Sequence, residues 1–207
     1  MNQTHFILST FSCAPESLDQ GELMPLTRKL QELVDRISHN RETMLQSISE
    51  LSDQQLNYKS KDDPWSICDI VHHLALTDDA NAKLMSNLLK KARAENLPPD
   101  PSPDGSEIHS ADELFARVAE PKFQAPPFVA PQSHLPVEDS LTRLRASRER
   151  MLESIDQLAS FDLNQLTYPH PFAGPLNGHQ WILMAGGHEH RHTQQIKRMK
   201  ARPDFPK

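Results

Sequence analysis

Glycine is scarce, with six residues in 207, while hydrophobic residues make up 37% and charged residues 24%. That balance excludes a collagen-like or low-complexity chain and indicates a soluble globular protein, expected to form one domain over residues 1–207. Cysteine is scarcer still. Cys13 and Cys68 stand in unrelated contexts and make no ligand-type pair, so both are expected to be reduced thiols, with Cys68 filling core. No apolar run approaches the roughly 20 residues of a membrane span. Positive charge is in deficit, 22 Lys+Arg against 28 Asp+Glu for a formal net charge of -6, which argues against a nucleic-acid partner. Neither a Gly-rich phosphate loop nor a G-x-S-x-G elbow occurs, which sets aside nucleotide-dependent and serine-hydrolase chemistry. The N-terminal "HFILSTFSCA" has no Lys or Arg before it and acidic residues soon after, unlike a secretory signal, and the expected location is cytoplasmic.

The chain is rich in helical periodicity. Leu23, Leu30, Ile37, Met44 and Leu51 recur every seven residues, with Leu26, Leu33 and Ile48 between them, predicting a first helix over 21–51 that ends in the polar loop "SDQQLNYKSKDDP". Ser66 followed by Asp69 reads as a capping box opening a second helix, with Ile67, Ile70, Leu74, Leu84, Met85 and Leu88 as its buried stripe. Nine of the seventeen prolines then fall within 95–136, which reads as a long crossover holding one short helix, Ser110–Val118. A third helix begins at Val137 and carries Leu141, Leu144, Met151, Ile155 and Leu158. The fourth is capped by Asn177 with Gln180 and runs to about Lys200, before Pro203. No strand and no repeat is visible. The expected fold is all-α, a four-helix bundle with an N-terminal extension over 1–20 and a Pro-rich crossover that leaves the second and third helices free to run parallel.

Near the C-terminus "GHEHRHTQQI" sets His188, His190 and His192 at alternate positions. On a strand all three would share a face; on a helix only His188 and His192 do. At about 100° per residue, Ala185, His188, His192, Gln195 and Met199 lie within about 40° of Trp181, while His190 faces away. A single histidine on a buried face is more often a hydrogen-bonded core residue than a ligand. Two at i and i+4 let their imidazoles converge on one ion, and a bundle recruits further ligands from a facing helix. In "VHHL" of the second helix, His73 lies at the edge of the apolar stripe and His72 opposite it. His73, His188 and His192 would leave an open coordination position, as catalytic sites do.

"PWSICDIVHHLALTDD", "HPFAGPLNGHQWILMAGGHEHRH" and the His-x3-His-x2-Gln-Ile of "HEHRHTQQI" resemble the DinB-like (YfiT-like) metal-dependent four-helix proteins, over all four helices in order. The resemblance places the family's metal triad on His73, His188 and His192. It implies a divalent metal ion, zinc or nickel first and iron or manganese also suited to imidazole, that activates a low-molecular-weight thiol or water. Thiol S-transferase and hydrolase activities on a small-molecule substrate are both implied. The alternative is a non-catalytic, stress-related or partner-binding metal protein. An open coordination position beside a pocket favours the enzyme; a fourth protein ligand favours the alternative.

Two readings stand for several neighbours. Gln195 either orients a ligand histidine or meets an interface. Glu189 is a general base or, in the preferred reading, a solvated salt-bridge partner. Trp65 and Trp181 are core anchors or line the substrate pocket. His170 stands near the mouth of the site or, as is usual for a histidine beside prolines, is simply a loop residue, and His179 is expected opposite Trp181. Ile182 and Leu183, apolar beyond the main stripe, suggest a further buried surface and a homodimer.

Overall fold

The computed structural model describes residues 26–61, 63–103, 124–131 and 135–207. Four long helices make the body: α1 (Arg28–Ile48), α3 (Ile67–Ala94), α4 (Val137–Leu158) and α5 (Gly178–Lys200), with a one-turn α2 (Asp53–Leu56) after α1. Strands β1 (Thr167–His170) and β2 (Gly174–Asn177) form an antiparallel hairpin before α5. Residues 21–25 of the expected first helix and the short helix at 110–118 lie outside the described residues, as does much of the crossover.

Local chemistry sets most helix ends. The Ser66–Asp69 and Asn177–Gln180 capping boxes form as expected and start α3 and α5. Thr27 caps α1 by accepting from the Leu30 N–H. α4 starts after Pro136 without a side-chain cap, but Glu138 and Asp139 complement the positive pole of its first turn. α3 ends where Asn96 turns left-handed at φ 48° and the Leu97 N–H bonds back to the Ala92 carbonyl, a Schellman closure. The first helix stops at Ile48, short of the expected Leu51, because a Ser52–Gln55 capping box starts the separate turn α2 in what reads as polar loop.

Cross-helix pairs give the topology. Asp79 meets Arg143 and Arg150, and Arg93 meets Gln157, so α3 and α4 run parallel. Asn40 Nδ2 donates to the Gly186 carbonyl and Lys200 Nζ to the Ser47 carbonyl, so α1 and α5 run parallel too. At Gly186 the two helices come so close that a Cβ would stand 2.8 Å from Ile37 Cγ2, so only glycine fits without a shift.

The hydrophobic core is divided into two clusters. One joins Leu30, Leu33 and Ile37 to Met85, Met151, Ile155 and Ile182; the other joins Met44 and Ile48 to Ile67, Ile70, Leu144, Ile196 and Met199. Between them along the helices lies a layer of four charges, one from each long helix: Arg41, which is partly buried, and the buried Asp78, Arg148 and Glu189. Arg41 bonds Asp78 (2.7 Å) and Glu189; Arg148 bonds Asp78 (3.2 Å) and Glu189 (3.0 Å). The guanidiniums also donate to the Leu144 and Ile37 carbonyls. Two cations and two anions balance, which is what makes such a layer tolerable away from water.

Several expectations need correction here. Glu189 is a salt-bridge partner but only 2% exposed, so it is not solvated. His72 is 6% exposed, because α3 is buried without interruption from Ile67 to Ala75 and has no solvent face there. Ile182 and Leu183 are 0% and 1% exposed, absorbed by the chain's own core, and offer no surface to a second copy. The β1–β2 hairpin replaces a stretch read as loop. Pro169 pairs with Pro175 in it, and Gly174, at φ 76°, closes the three-residue turn.

Candidate metal centre

His73 enters from α3 and His188 and His192 from α5. Their nitrogens lie within 4.8 Å of one another, while His190 is exposed near Gln194. His188 Nε2 stands 3.1 Å from His73 Nε2 and 3.2 Å from His192 Nε2. Ligand nitrogens about 2 Å from a tetrahedral zinc stand roughly 3.3 Å apart, so these edges match neighbouring corners of such a shell.

Hydrogen bonds on the far side of two rings fix their tautomers. His73 Nδ1 lies 2.7 Å from the Val129 carbonyl, which can only accept, so Nδ1 carries the proton and Nε2 a lone pair. Gln195 Nε2 donates to Asp63 Oδ1 at 2.9 Å, which turns Oε1 toward His192 Nδ1 at 2.8 Å. His192 therefore donates from Nδ1 and also aims a lone pair from Nε2. His188 Nε2 faces both lone pairs and carries at most one hydrogen, so it cannot satisfy both. A shared divalent cation satisfies all three, and the donor set fits one.

The electrostatics favour the ligand form. Burial, then His192 and His73, press the proton affinity of His188 well below the ordinary histidine value. His192 falls to about 3, through burial and His73, against the opposing Gln195 bond. His73 is lowered by burial, with the Val129 bond opposing. All three are neutral at pH 7, so a cation need displace no proton.

The triad lines a cleft. Trp65 packs on His73 with ring centroids 4.7 Å apart and lies along His192 at 6.2 Å; Trp181 and Met184 form another wall. Trp181 is also a core anchor, 8% exposed, and its Nε1 donates to the Tyr168 carbonyl at 3.1 Å. Both tryptophans thus line the cleft, and Gln195 holds a histidine of the triad. His170 reaches the same cleft from the hairpin. His179 does not. It is buried among Lys29, Asp100 and Asp162, with its pKa lowered to about 4 chiefly by burial.

Sequence reasoning missed Val129 and Asp63. A backbone carbonyl has no sequence signature, since every residue has one. Asp63 in "KDDP" is marked only by standing two residues before Trp65.

The chain is similar to several known proteins. An uncharacterized Bacillus subtilis (strain 168) protein, YuaE, is 29% identical over 151 residues, 72% of this chain and 86% of that one. A Geobacillus kaustophilus (strain HTA426) protein bearing the name "Putative metal-dependent hydrolase GK0616" is 23% identical over 195 residues, 94% of this chain and 93% of its own. The crystal structure of TT2238, a four-helix bundle protein, superposes with a TM-score of 0.55 at 20% identity, covering 81% of this chain and 97% of that one, a likeness of fold. The sequence profile of the DinB superfamily matches residues 36–196, and the chain belongs to that superfamily.

Proposed function

We propose that the chain is a metal-dependent enzyme in which His73, His188 and His192 hold one divalent cation and a water or small thiol is activated beside it, for hydrolysis or thiol S-transfer. The observation that carries this reading is the convergence of three imidazole edges on one point at the wall of a cleft, two of them with their outer nitrogens already committed. When bound, the cation supplies Lewis acidity that lowers the pKa of water or a thiol at the site. Zinc suits three nitrogens with an open position; nickel, iron and manganese also accept imidazole. The chain's own residues keep the site ready. Val129 and the Asp63–Gln195 pair hold two rings in their ligand tautomers, Trp65 packs against His73 and His192, and Trp181 lines the same cleft.

Hydrolysis is supported by the name of the Geobacillus relative, and thiol transfer by the resemblance of the histidine motifs. Among the described residues no fourth His, Cys, Asp or Glu joins the triad, which favours an open, catalytic site over a closed, structural one. The test is metal content of the purified protein by mass spectrometry, with His188→Ala against His190→Ala. His188→Ala should lose the metal and stay helical by circular dichroism, while His190→Ala keeps it. Full metal content in both variants places the site elsewhere. Unfolding of His188→Ala makes the metal structural.

A further inference from the structure

The β1–β2 turn brings into the cleft a polar group that the metal reading does not use. His170 Nδ1 accepts two backbone hydrogen bonds, from the Phe172 N–H at 3.2 Å and the Ala173 N–H at 3.1 Å. A ring nitrogen that accepts carries no proton, so the proton of the neutral imidazole resides on Nε2. Half-burial of the ring lowers its proton affinity and keeps it neutral. Trp181 at 5.0 Å and Phe172 at 6.1 Å flank it. Trp181 is itself tied to the hairpin through the Tyr168 carbonyl, so the ring is held by the strand pair and by α5 together.

The result is a fixed Nε2–H donor on the ring edge away from the turn, without a hydrogen-bond partner among the described residues. It lines the same cleft as the three histidines. The cleft has further aromatic lining: Phe128, 68% exposed, Tyr168, 51% exposed, Phe172 and Trp65. A rigid donor beside an electrophilic centre stabilises charge on an acceptor oxygen, and an apolar lining selects the body that carries it.

We propose that His170 is a substrate-binding residue, whose Nε2–H donates to an acceptor oxygen of a ligand with its polar head at the three-histidine centre and an aromatic-sized apolar body against Trp65, Tyr168 and Phe172. This rests on the proposed metal site and names the class of ligand for it. The test uses cobalt(II)-loaded protein and benzohydroxamate, which offers two oxygens and a phenyl ring, followed through the cobalt absorption spectrum. The variants are His170→Phe, which keeps the ring shape without the N–H, and His170→Gln, whose amide N–H reaches a similar point. His170→Phe should bind cobalt with an unchanged spectrum and benzohydroxamate on the order of 10- to 100-fold more weakly, as for loss of a hydrogen bond to a charged group; His170→Gln should recover most of the affinity. Equal benzohydroxamate affinity in His170→Phe and the unmutated protein overturns the role of His170 alone, as does failure of the unmutated cobalt protein to bind it. Loss of helical signal in both variants makes His170 structural and also overturns it. An unmutated protein that takes up no cobalt overturns the metal reading, and this inference with it.

Discussion

Replacing Glu189 by Gln removes one negative charge from a layer that balances only when all four members are present. The side chains of Glu189, Asp78, Arg148 and Arg41 are 2%, 8%, 8% and 11% exposed, so water can do little to compensate. Asp78 would then face two guanidiniums alone, a net positive charge between two hydrophobic clusters. Breaking a buried pair in this way costs about 3–5 kcal/mol. Because Gln can still accept one of the two hydrogen bonds, the low end, about 3 kcal/mol, is expected. At roughly 2–4 °C per kcal/mol for a chain of this size, the melting temperature should fall by about 6–12 °C. Thermal unfolding followed at 222 nm measures it, with urea titration as the independent check. The double variant Glu189→Gln, Arg41→Gln restores neutrality and should regain part of the loss. A drop below about 2 °C for the single change, or a double variant worse than the sum of its parts, would refute the view of the layer as a coupled, charge-balanced unit.

His179 gives the fold an acid-sensitive point away from the cleft. Its pKa in the fold is about 4, through burial first and Lys29 second, with Asp100 and Asp162 opposing. Between pH 4 and about 6.5 the unfolded chain therefore holds a proton there that the fold does not. This part of the stability is complete above about pH 6.5 and lost as pH falls toward 4. His179→Phe should reduce the difference in unfolding free energy between pH 7 and pH 4.5 by roughly 2–3 kcal/mol, read by urea titration at the two values; an unchanged difference would exclude His179 as its source. At the metal centre, Gln195→Leu removes the acceptor of His192 Nδ1 and the link to Asp63, and should weaken zinc binding about 10- to 100-fold with little change in apo stability. Competition against a chromophoric chelator measures this, and unaltered zinc affinity would show that Gln195 does not tune the site.

The sequence by itself determined whatever is settled within a turn or two of helix. The Ser66–Asp69 and Asn177–Gln180 caps, the seam from Leu30 to Ile48, and the one-turn spacing of His188 and His192 all follow from bonds or angles between near neighbours in the chain. The Ser52–Gln55 box is just as local, but it stands in a polar stretch that reads as loop. Tertiary structure decided what depends on distant partners. The carbonyl that fixes His73 lies 56 residues away, and Asp63, which orients Gln195, lies 132 away. Glu189 looks like a surface carboxylate until Arg41 and Arg148 arrive from two other helices to neutralise it. The hairpin was hidden for a related reason. Pro169 and Pro175 lower strand propensity locally, while the packing of Leu176 into the core, the bond from Trp181 to Tyr168 and the turn bonds to His170 hold the pair in register. A helical angle reports which residues share a face, but the neighbours that come to cover each face decide its charge, its tautomers and its exposure.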